Sequence, residues 1–361
     1  MDRIVRIDII GCGGIANGKH MPSLSKVANA QMVAFCDIIP ERAEKAKAQY
    51  GTPDAKVYTD YKELLKDESI EVVHVLTPNR EHADITIDAL YAGKHVMCEK
   101  PMAKTAADAK RMLDAAKATG KKLTIGYQHR QKPQSIYAKK YIESGSLGEI
   151  YYANCYAIRR RGTPNWGVFL NEEEQGGGPI IDIATHSLDL TLYLMNNYEP
   201  EMVIGKTHKK LEHPEAGNIW GDNGVSTTPL EEAACAFIRM KNGATIMLET
   251  SWALNTCEPI EEGSCTLCGS KEGLQIKNNV LKINKIEFDR ETDTSVNTSA
   301  GGVAFYDGAA GTPAEVEAAN WIKSVIDDTA PVVLPEQAYV VSQILEAIYE
   351  SSKSGKPVYF A

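Results

Sequence analysis

The chain has 361 residues, of which 43% are hydrophobic and 24% are charged, a composition typical of soluble globular proteins with two domains. Its formal net charge is −9, and even the densest basic run, residues 159–161, is too short for a nucleic-acid groove. No apolar stretch approaches the ~20 residues that span a bilayer, and we expect no secretory leader before the first strand. These features exclude nucleic-acid binding and membrane insertion as expected functions.

The first part of the chain, up to about residue 125, alternates short apolar strands with amphipathic helices. Strands are predicted at residues 5–10, 32–36, 72–76, 95–98 and 123–126, and helices at residues 40–50, 81–92 and 105–119. Alternation of this kind predicts βαβ units and a parallel sheet with helices on both faces.

From about residue 128 the pattern becomes that of an α+β domain. Helices are predicted at 133–144, 182–195, 315–327 and 336–352, strands at 150–159, 201–209, 232–239, 244–251, 264–267 and 274–276, and a polar loop at 292–302. The order predicts a largely antiparallel sheet. We place the domains at residues 1–127 and 128–361, with terminal helices that can pack back on the first domain.

The turn after the first strand, residues 11–16, has the sequence GCGGIA and fits the pattern G-x-G-x-x-A. In a dinucleotide-binding βαβ unit, the first glycine permits the tight turn, the second admits the pyrophosphate, and the small third residue permits close helix–strand packing. Asp37 ends the second strand about 20 residues later, where a carboxylate binds ribose hydroxyls and repels a 2′-phosphate. NAD is therefore the expected cofactor. The alternative is a glycine turn in another α/β fold.

Two more segments follow strands at the sheet edge where ligands bind. Residues 77–82, with the sequence TPNREH, are interpreted as a helix N-cap, as a ligand-binding loop, or as both. Lys100 lies in the run Glu99-Lys100-Pro101, directly after the strand at 95–98, where the nicotinamide is expected. The alternative for Lys100 is an ordinary surface charge.

One predicted helix of the second domain carries Asp182, His186 and Asp189, spaced i, i+4 and i+7 and so on one helix face. Burying such a polar stripe costs free energy, so its presence favours a functional role, here a set of residues that transfers a proton. The alternative is a core histidine satisfied by carboxylates. The glycines at 176–178 are expected to let the backbone crowd against a cofactor or a sugar.

The eight cysteines are scattered and are expected to be reduced thiols of a cytoplasmic protein. Cys265 and Cys268 form one CxxC without a second pair. We interpret them as strand residues rather than as zinc ligands, and we expect no metal.

The chain resembles the Gfo/Idh/MocA family, which includes glucose–fructose oxidoreductase and inositol dehydrogenase. The resemblance covers essentially the whole length and rests on these segments: 11–16, 37, 77–82, 99–101, 159–166 and 176–189. It implies a Rossmann domain and an α/β domain with an open sheet that oligomerises as dimers or tetramers. It also implies NAD-dependent oxidation of a secondary hydroxyl of a sugar, glycoside or cyclitol.

The resemblance implies that Lys100, Asp182 and His186 are the catalytic set. His186 is the expected general base, since an unperturbed imidazole has a pKa of ~6.5, and the charge of Lys100 is expected to stabilise the alkoxide. Asp189 is expected to fix the imidazole tautomer. The other predicted substrate residues are Gln128, Arg159 and Trp166. For Trp166, ordinary packing is the alternative. The predicted cofactor-binding residues are Gly11, Gly13, Gly14, Ile15, Ala16, Asp37, Ile38, Arg42, Thr77, Asn79, His82, Glu99 and Lys100.

Two rival functions remain open at this point. One is a glycosidase or lyase that oxidises a ring carbon transiently, eliminates the glycosidic bond and regenerates its cofactor. The other is a dinucleotide-sensing regulator without catalysis, for which an eroded Lys/Asp/His set would be expected.

Overall fold

The computed structural model describes residues 3–211, 217–221, 228–298 and 311–360, which form two compact units. Unit 1 consists of the described residues within Met1–Gln131 and Ala309–Tyr339, and unit 2 of those within Lys132–Gly308 and Val340–Ala361. Among these residues, no helix combines the length and the apolar character that a membrane crossing requires.

The N-terminal part of unit 1 alternates strands and helices as predicted. The strands are β1 (Val5–Ile10), β2 (Ala30–Cys36), β3 (Lys56–Tyr58), β4 (Val72–Val75), β5 (His95–Cys98) and β6 (Leu123–Ile125). The helices are α1 (Met21–Leu24), α2 (Pro40–Tyr50), α3 (Tyr61–Leu64), α4 (His82–Tyr91) and α5 (Ala106–Thr119), with a π-helical turn at Ala16–His20 and 3₁₀ turns at Asn79–Glu81 and Gln128–Gln131. Two short elements among these, the strand β3 and the four-residue helix α3, were not predicted.

The strands of unit 1 form one six-stranded sheet in the order β3-β2-β1-β4-β5-β6, and every pairing is parallel. The strand order reverses between β1 and β4, so the loops after these two strands lie at the point where such sheets bind ligands. Both strands are almost entirely buried, which explains why most of their residues are apolar.

The remaining elements lie further along the chain. The helices are α6 (Pro133–Glu143), α7 (Glu172–Gln175), α8 (Thr185–Met195), α9 (Pro313–Ile326) and α10 (Pro335–Ser354), and a π-helical turn at Ile180–Ala184 precedes α8. The strands are β7 (Ile150–Ile158), β8 (Pro200–His208), β9 (Ala233–Met240), β10 (Thr245–Ser251), β11 (Ile260–Gly269), β12 (Gly273–Lys277), β13 (Val280–Glu287), β14 (Arg290–Val296) and β15 (Val358–Tyr359). Helix α9 belongs to unit 1.

The strands of unit 2 form a nine-stranded sheet in the order β14-β13-β12-β11-β7-β10-β9-β8-β15. The β10–β7 pair is parallel and the other pairs are antiparallel, as the prediction of a largely antiparallel sheet requires. Unit 1 therefore has the Rossmann architecture and unit 2 is an α+β domain, which confirms the predicted fold class.

The loop predicted at residues 292–302 is wrong in its first part, because β14 extends to Val296 and pairs with β13. The strand was missed because it lies at the sheet edge, where its mostly exposed side chains show no apolar alternation. Residues 299–302 lie outside the described part of the chain.

The two cysteines of the CxxC both lie on β11, as predicted. Residues three apart on a strand point to opposite faces of the sheet, so the two thiols do not converge on a metal. Cys265 is buried, and burial raises the pKa of its thiol to about 12.

Candidate functional site

The glycine-rich turn after β1 begins at a residue that must be glycine. Gly11 has φ +91°, and a Cβ at this position would lie 2.8 Å from the carbonyl carbon and oxygen of Leu76, at the end of β4. The left-handed backbone and this close approach of two strand ends both exclude a side chain.

The next two glycines are not explained by packing within the protein. A Cβ on Gly13 or Gly14 would meet no described atom within 4 Å. The space above the loop is therefore open for a ligand that approaches the backbone, as the pyrophosphate of a dinucleotide does. Ile15 is 42% exposed beside this space, whereas Ala16 is fully buried and starts the π-helical turn.

Asp37 has a structural role that the sequence did not predict. Its carboxylate accepts hydrogen bonds from the backbone N–H of Cys12 at 2.8 Å and of Ile39 at 2.9 Å, so it holds the glycine-rich loop. A carboxylate has further acceptor capacity for ribose hydroxyls. Ile38 is 88% exposed directly after it, and the side chain of Arg42 is exposed on α2.

We expect the protein to prefer NAD over NADP by at least about tenfold in kcat/KM, equivalent to ~1.4 kcal/mol, because Asp37 repels a 2′-phosphate. The Asp37→Ser variant should lose this preference, while Asp54→Ser, which removes an exposed carboxylate of the same unit, should retain it. Steady-state kinetics with both cofactors measures the ratio. Equal values for the wild-type protein would contradict the assignment of Asp37.

The loop after β4 contains a buried hydroxyl without a partner. Thr77 Oγ1 has no hydrogen-bond partner among the described residues, an unusual condition that a bound ligand would relieve. The side chains in this loop do not cap a helix: Pro78 occupies the N-cap of the 3₁₀ turn that Asn79 begins, and no side-chain cap bond is present. The N-cap interpretation of residues 77–82 is therefore wrong.

His82 joins this loop to the Glu99-Lys100-Pro101 turn. Its Nε2 lies 3.0 Å from the carbonyl oxygen of Thr77, and its Nδ1 lies 2.8 Å from that of Pro101. Burial lowers the pKa of His82, so the ring is neutral and its single N–H donates to one carbonyl at a time. The side chain thus braces two backbone segments at the sheet edge.

Glu99 is engaged entirely within unit 1. Its Oε2 accepts a hydrogen bond from the backbone N–H of Lys100 at 2.9 Å, and its Oε1 lies 2.7 Å from both Lys19 Nζ and His20 Nε2. Burial opposes ionisation, but the charges and hydrogen bonds of Lys19 and His20 outweigh it, and the pKa of Glu99 lies well below its usual value. The side chain of Lys100 itself is half-buried.

In unit 2, the predicted polar set lies at the start of α8. Asp182 Oδ2 accepts a hydrogen bond from Trp252 Nε1 at 2.9 Å and lies 3.9 Å from Arg159 Nη1. Asp182 occupies the π-helical turn, whereas His186 and Asp189 are buried in α8, so the assumed α-helical spacing from Asp182 to His186 is wrong. Such π-helical turns occur frequently at functional sites.

The glycines before this helix crowd against protein atoms, and the expectation that they face a cofactor or sugar is wrong for two of them. A Cβ on Gly177 would overlap the hydroxyl of Tyr349, and one on Gly178 would lie 2.5 Å from the carbonyl oxygen of Glu231. Glu231 Oε1 accepts hydrogen bonds from Tyr349 OH at 2.7 Å, from Gly178 N–H at 3.1 Å and from Ile180 N–H at 3.4 Å. A buried carboxylate and a tyrosine thus anchor the helix that carries Asp182.

We expect Tyr349→Phe to lower the free energy of unfolding by about 1.5–3 kcal/mol, because a hydrogen bond to a buried carboxylate is lost. Urea unfolding measures the change. Tyr359→Phe is the control, since Tyr359 of the same unit is 66% exposed and its substitution should have almost no effect. Equal stability of the two variants would show that the anchor contributes little.

The predicted substrate wall contains a second tryptophan. Trp166 contacts Trp220 edge to face, with ring centroids 4.8 Å apart, and the two indoles are 49% and 41% exposed. The guanidinium of Arg159 lies 5.9 Å from the centre of the Trp220 ring and forms an ion pair with Glu262 at 2.9 Å. Gln128 belongs to unit 1, where it begins a 3₁₀ turn and is half-buried.

Sequence reasoning missed six side chains that support the predicted site from a distance. They are Lys19, His20, Trp220, Glu231, Trp252 and Tyr349. None lies in a recognisable motif, because the partners of each are far away in the chain; Glu231 and Tyr349, for example, are 118 residues apart. The one signal for Glu231 in the sequence was its position just before the apolar strand β9.

Unit 1 has the strand order of a dinucleotide-binding domain and a glycine-rich turn at the point of reversal. It also has open space beside two glycines of that turn, and a buried hydroxyl that has no partner among the described residues. These observations define a dinucleotide-binding domain, and the residues present fit NAD.

Comparison with known proteins gives the family. The chain belongs to the Gfo/Idh/MocA oxidoreductase family: residues 5–127 match its NAD-binding Rossmann fold, and residues 139–360 match its C-terminal alpha/beta domain. It is thus an oxidoreductase with NAD as cofactor.

Among its relatives, the chain is 32% identical to D-glucoside 3-dehydrogenase of Escherichia coli (strain K12), over 98% of this chain and 97% of the relative. It is 29% identical to inositol 2-dehydrogenase/D-chiro-inositol 3-dehydrogenase of Lactiplantibacillus plantarum, over 62% of this chain and 63% of the relative. The solved structure of levoglucosan dehydrogenase with NADH and levoglucosan has a TM-score of 0.83 at 23% identity, covering 99% of each chain.

Proposed function

We propose that this protein oxidises a secondary ring hydroxyl of a sugar, glycoside or cyclitol to a ketone. The observation that carries the proposal is the anchored helix of unit 2, on which a half-buried carboxylate, Asp182, precedes a buried imidazole, His186. The relationship to D-glucoside 3-dehydrogenase over almost the whole chain supports a glycoside as the first substrate to test.

In this proposal, His186 takes the proton of the reacting hydroxyl as general base, because an imidazole titrates near working pH. Trp252 fixes one oxygen of Asp182, so that this carboxylate can orient the hydroxyl. Lys100 stabilises the negative charge that develops on the reacting oxygen. Bound at this site, NAD would supply the acceptor for the hydride of the ring carbon. The residues proposed to hold it include Gly13, Gly14, Asp37 and Thr77.

The experiment is a screen of methyl β-D-glucoside, levoglucosan and myo-inositol for formation of reduced nicotinamide, followed by identification of the ketone. Deoxy analogues that lack a hydroxyl beside the reacting carbon should lose more than about tenfold in kcat/KM, since the polar groups that bind it would be left unpaired. Comparable activity on simple aliphatic secondary alcohols would contradict the proposal. Release of the aglycone without net reduction of NAD would instead indicate elimination after transient oxidation.

A further inference from the structure

Unit 1 contains a cluster of five titratable side chains beneath the Glu99-Lys100-Pro101 turn, which we call the Lys19 cluster. Its members come from four places in the fold: the π-helical turn, β4, the end of β5 and α9. They are Lys19, His20, His74, Glu99 and Glu317. The side chain of Lys19 is 10% exposed and the other four residues are buried. Burial of so many charged groups is costly unless they compensate one another.

Lys19 lies between the two carboxylates of the cluster. Its Nζ is 2.7 Å from Glu99 Oε1 and 2.9 Å from Glu317 Oε2. Burial alone would lower the pKa of Lys19, but the two carboxylates outweigh burial and raise it, so the ammonium stays charged. Burial raises the pKa of Glu317, and its Oε1 has no hydrogen-bond partner among the described residues. Of the two carboxylates, Glu99 is the one whose pKa lies below its usual value.

The two histidines complete the surroundings of Glu99. His20 Nε2 contacts Glu99 Oε1 at 2.7 Å, and the Nδ1 atoms of His20 and His74 are 3.3 Å apart. Burial holds the pKa of His74 well below its usual value, so this ring is neutral. His82 also interacts electrostatically with Glu99 from α4. Lys19 is the one lysine that forms an ion pair with Glu99 in the described part of the chain.

The ionised Glu99 holds the backbone of Lys100 in place through a hydrogen bond. Its second oxygen accepts the Lys100 N–H, and a charge-assisted hydrogen bond of this kind is stronger than a neutral one. The carboxylate has little freedom to move away, since even a Cβ on Gly126 would come within 3.0 Å of Glu99 Oε1.

We propose that Lys19 is a positioning residue for Lys100, acting by keeping Glu99 ionised and bound to the Lys100 backbone. The proposal rests on the proposed catalytic role of Lys100. Glu317 is the second counter-ion of Lys19, after Glu99. Together the two carboxylates allow Lys19 to be buried while its ammonium remains charged.

The test is Lys19→Met, compared with Lys94→Met. Lys94 is a matched control because it is a buried lysine of unit 1 whose ammonium donates hydrogen bonds to the backbone carbonyls of Asp67 and Ile70. In Lys19→Met, the positive charge that stabilises the Glu99 carboxylate is lost while its burial remains, so the pKa of Glu99 rises. We therefore expect a new loss of kcat on the acid side of the pH profile, about tenfold at its fullest, as Glu99 becomes protonated. Lys94→Met should keep the wild-type profile.

A second measurement does not require turnover. Hydrogen exchange at the Lys100 amide should be about tenfold faster in Lys19→Met than in the wild-type protein or in Lys94→Met. If the wild-type protein oxidises no sugar, the proposed function fails while this measurement still tests Lys19. Unchanged amide protection together with an unchanged pH profile would overturn the inference.

Gly126→Ala provides an independent variant if Lys19→Met does not fold. The added methyl group removes no charge but forces Glu99 to shift by a few tenths of an ångström. We expect faster exchange of the Lys100 amide and a several-fold lower kcat, with the Kd for NADH unchanged. Wild-type exchange and kcat in this variant would show that the position of Glu99 does not govern Lys100.

Discussion

Replacing His186 by alanine is expected to lower kcat by about 10²–10⁴-fold, the usual contribution of a general base. His186 is buried on α8 in unit 2, whereas the glycine-rich turn proposed to hold NAD lies in unit 1. The Kd for NADH, measured by fluorescence titration, should therefore change little. Steady-state kinetics on the best substrate of the screen measures kcat.

The matched control is His208→Ala, which removes a histidine at the end of β8 in the same unit. Its kcat should equal that of the wild-type protein. If His186→Ala retained a near-normal rate at every pH, His186 would not be the base, and a buried structural histidine would be the better interpretation.

Replacing Lys100 by methionine is expected to lower kcat by about 10²–10³-fold, as the loss of one group that stabilises a developing oxyanion does. Methionine approximates the length of the lysine stem without its charge. The effect should fall on kcat more than on KM, because the charge on the reacting oxygen exists only as the reaction proceeds.

Lys110→Met is the control for this substitution. Lys110 lies on α5 of unit 1, where it forms an exposed ion pair with Asp114, and such pairs contribute little. Lys110→Met should therefore behave as the wild-type protein. A Lys100→Met variant with a raised KM and an unchanged kcat would indicate that Lys100 only binds the substrate.

Much of the fold could be predicted because its signals are local. The buried strands β1 and β5 consist mostly of apolar residues, and the glycine-rich turn at residues 11–16 has a spacing that follows from backbone geometry alone. The strands of the largely antiparallel sheet in unit 2 were predicted less completely. Strand β14 has mostly exposed side chains, so neither face of it shows an apolar pattern.

The candidate site was predicted only in part, for a related reason. Motif spacing singled out Asp37, Lys100, Asp182 and His186, since each follows a recognisable strand or occupies a helical position. The reason for the glycines at 177 and 178 could not be predicted, because it depends on Tyr349 and Glu231. The π-helical turn that contains Asp182 was also invisible, since no residue pattern distinguishes it from an α-helix.

The sequence by itself determined most of the elements, the class of each domain, the cofactor and the candidate reactive residues, because periodicity and turn chemistry act over a few neighbouring positions. Only the tertiary structure decided what supports those residues. Glu231 binds Gly178 across 53 positions of the chain, and Lys19 binds Glu99 across 80. Buried polar groups take whichever partners the folded chain brings to them, and no local pattern specifies a partner at such a separation.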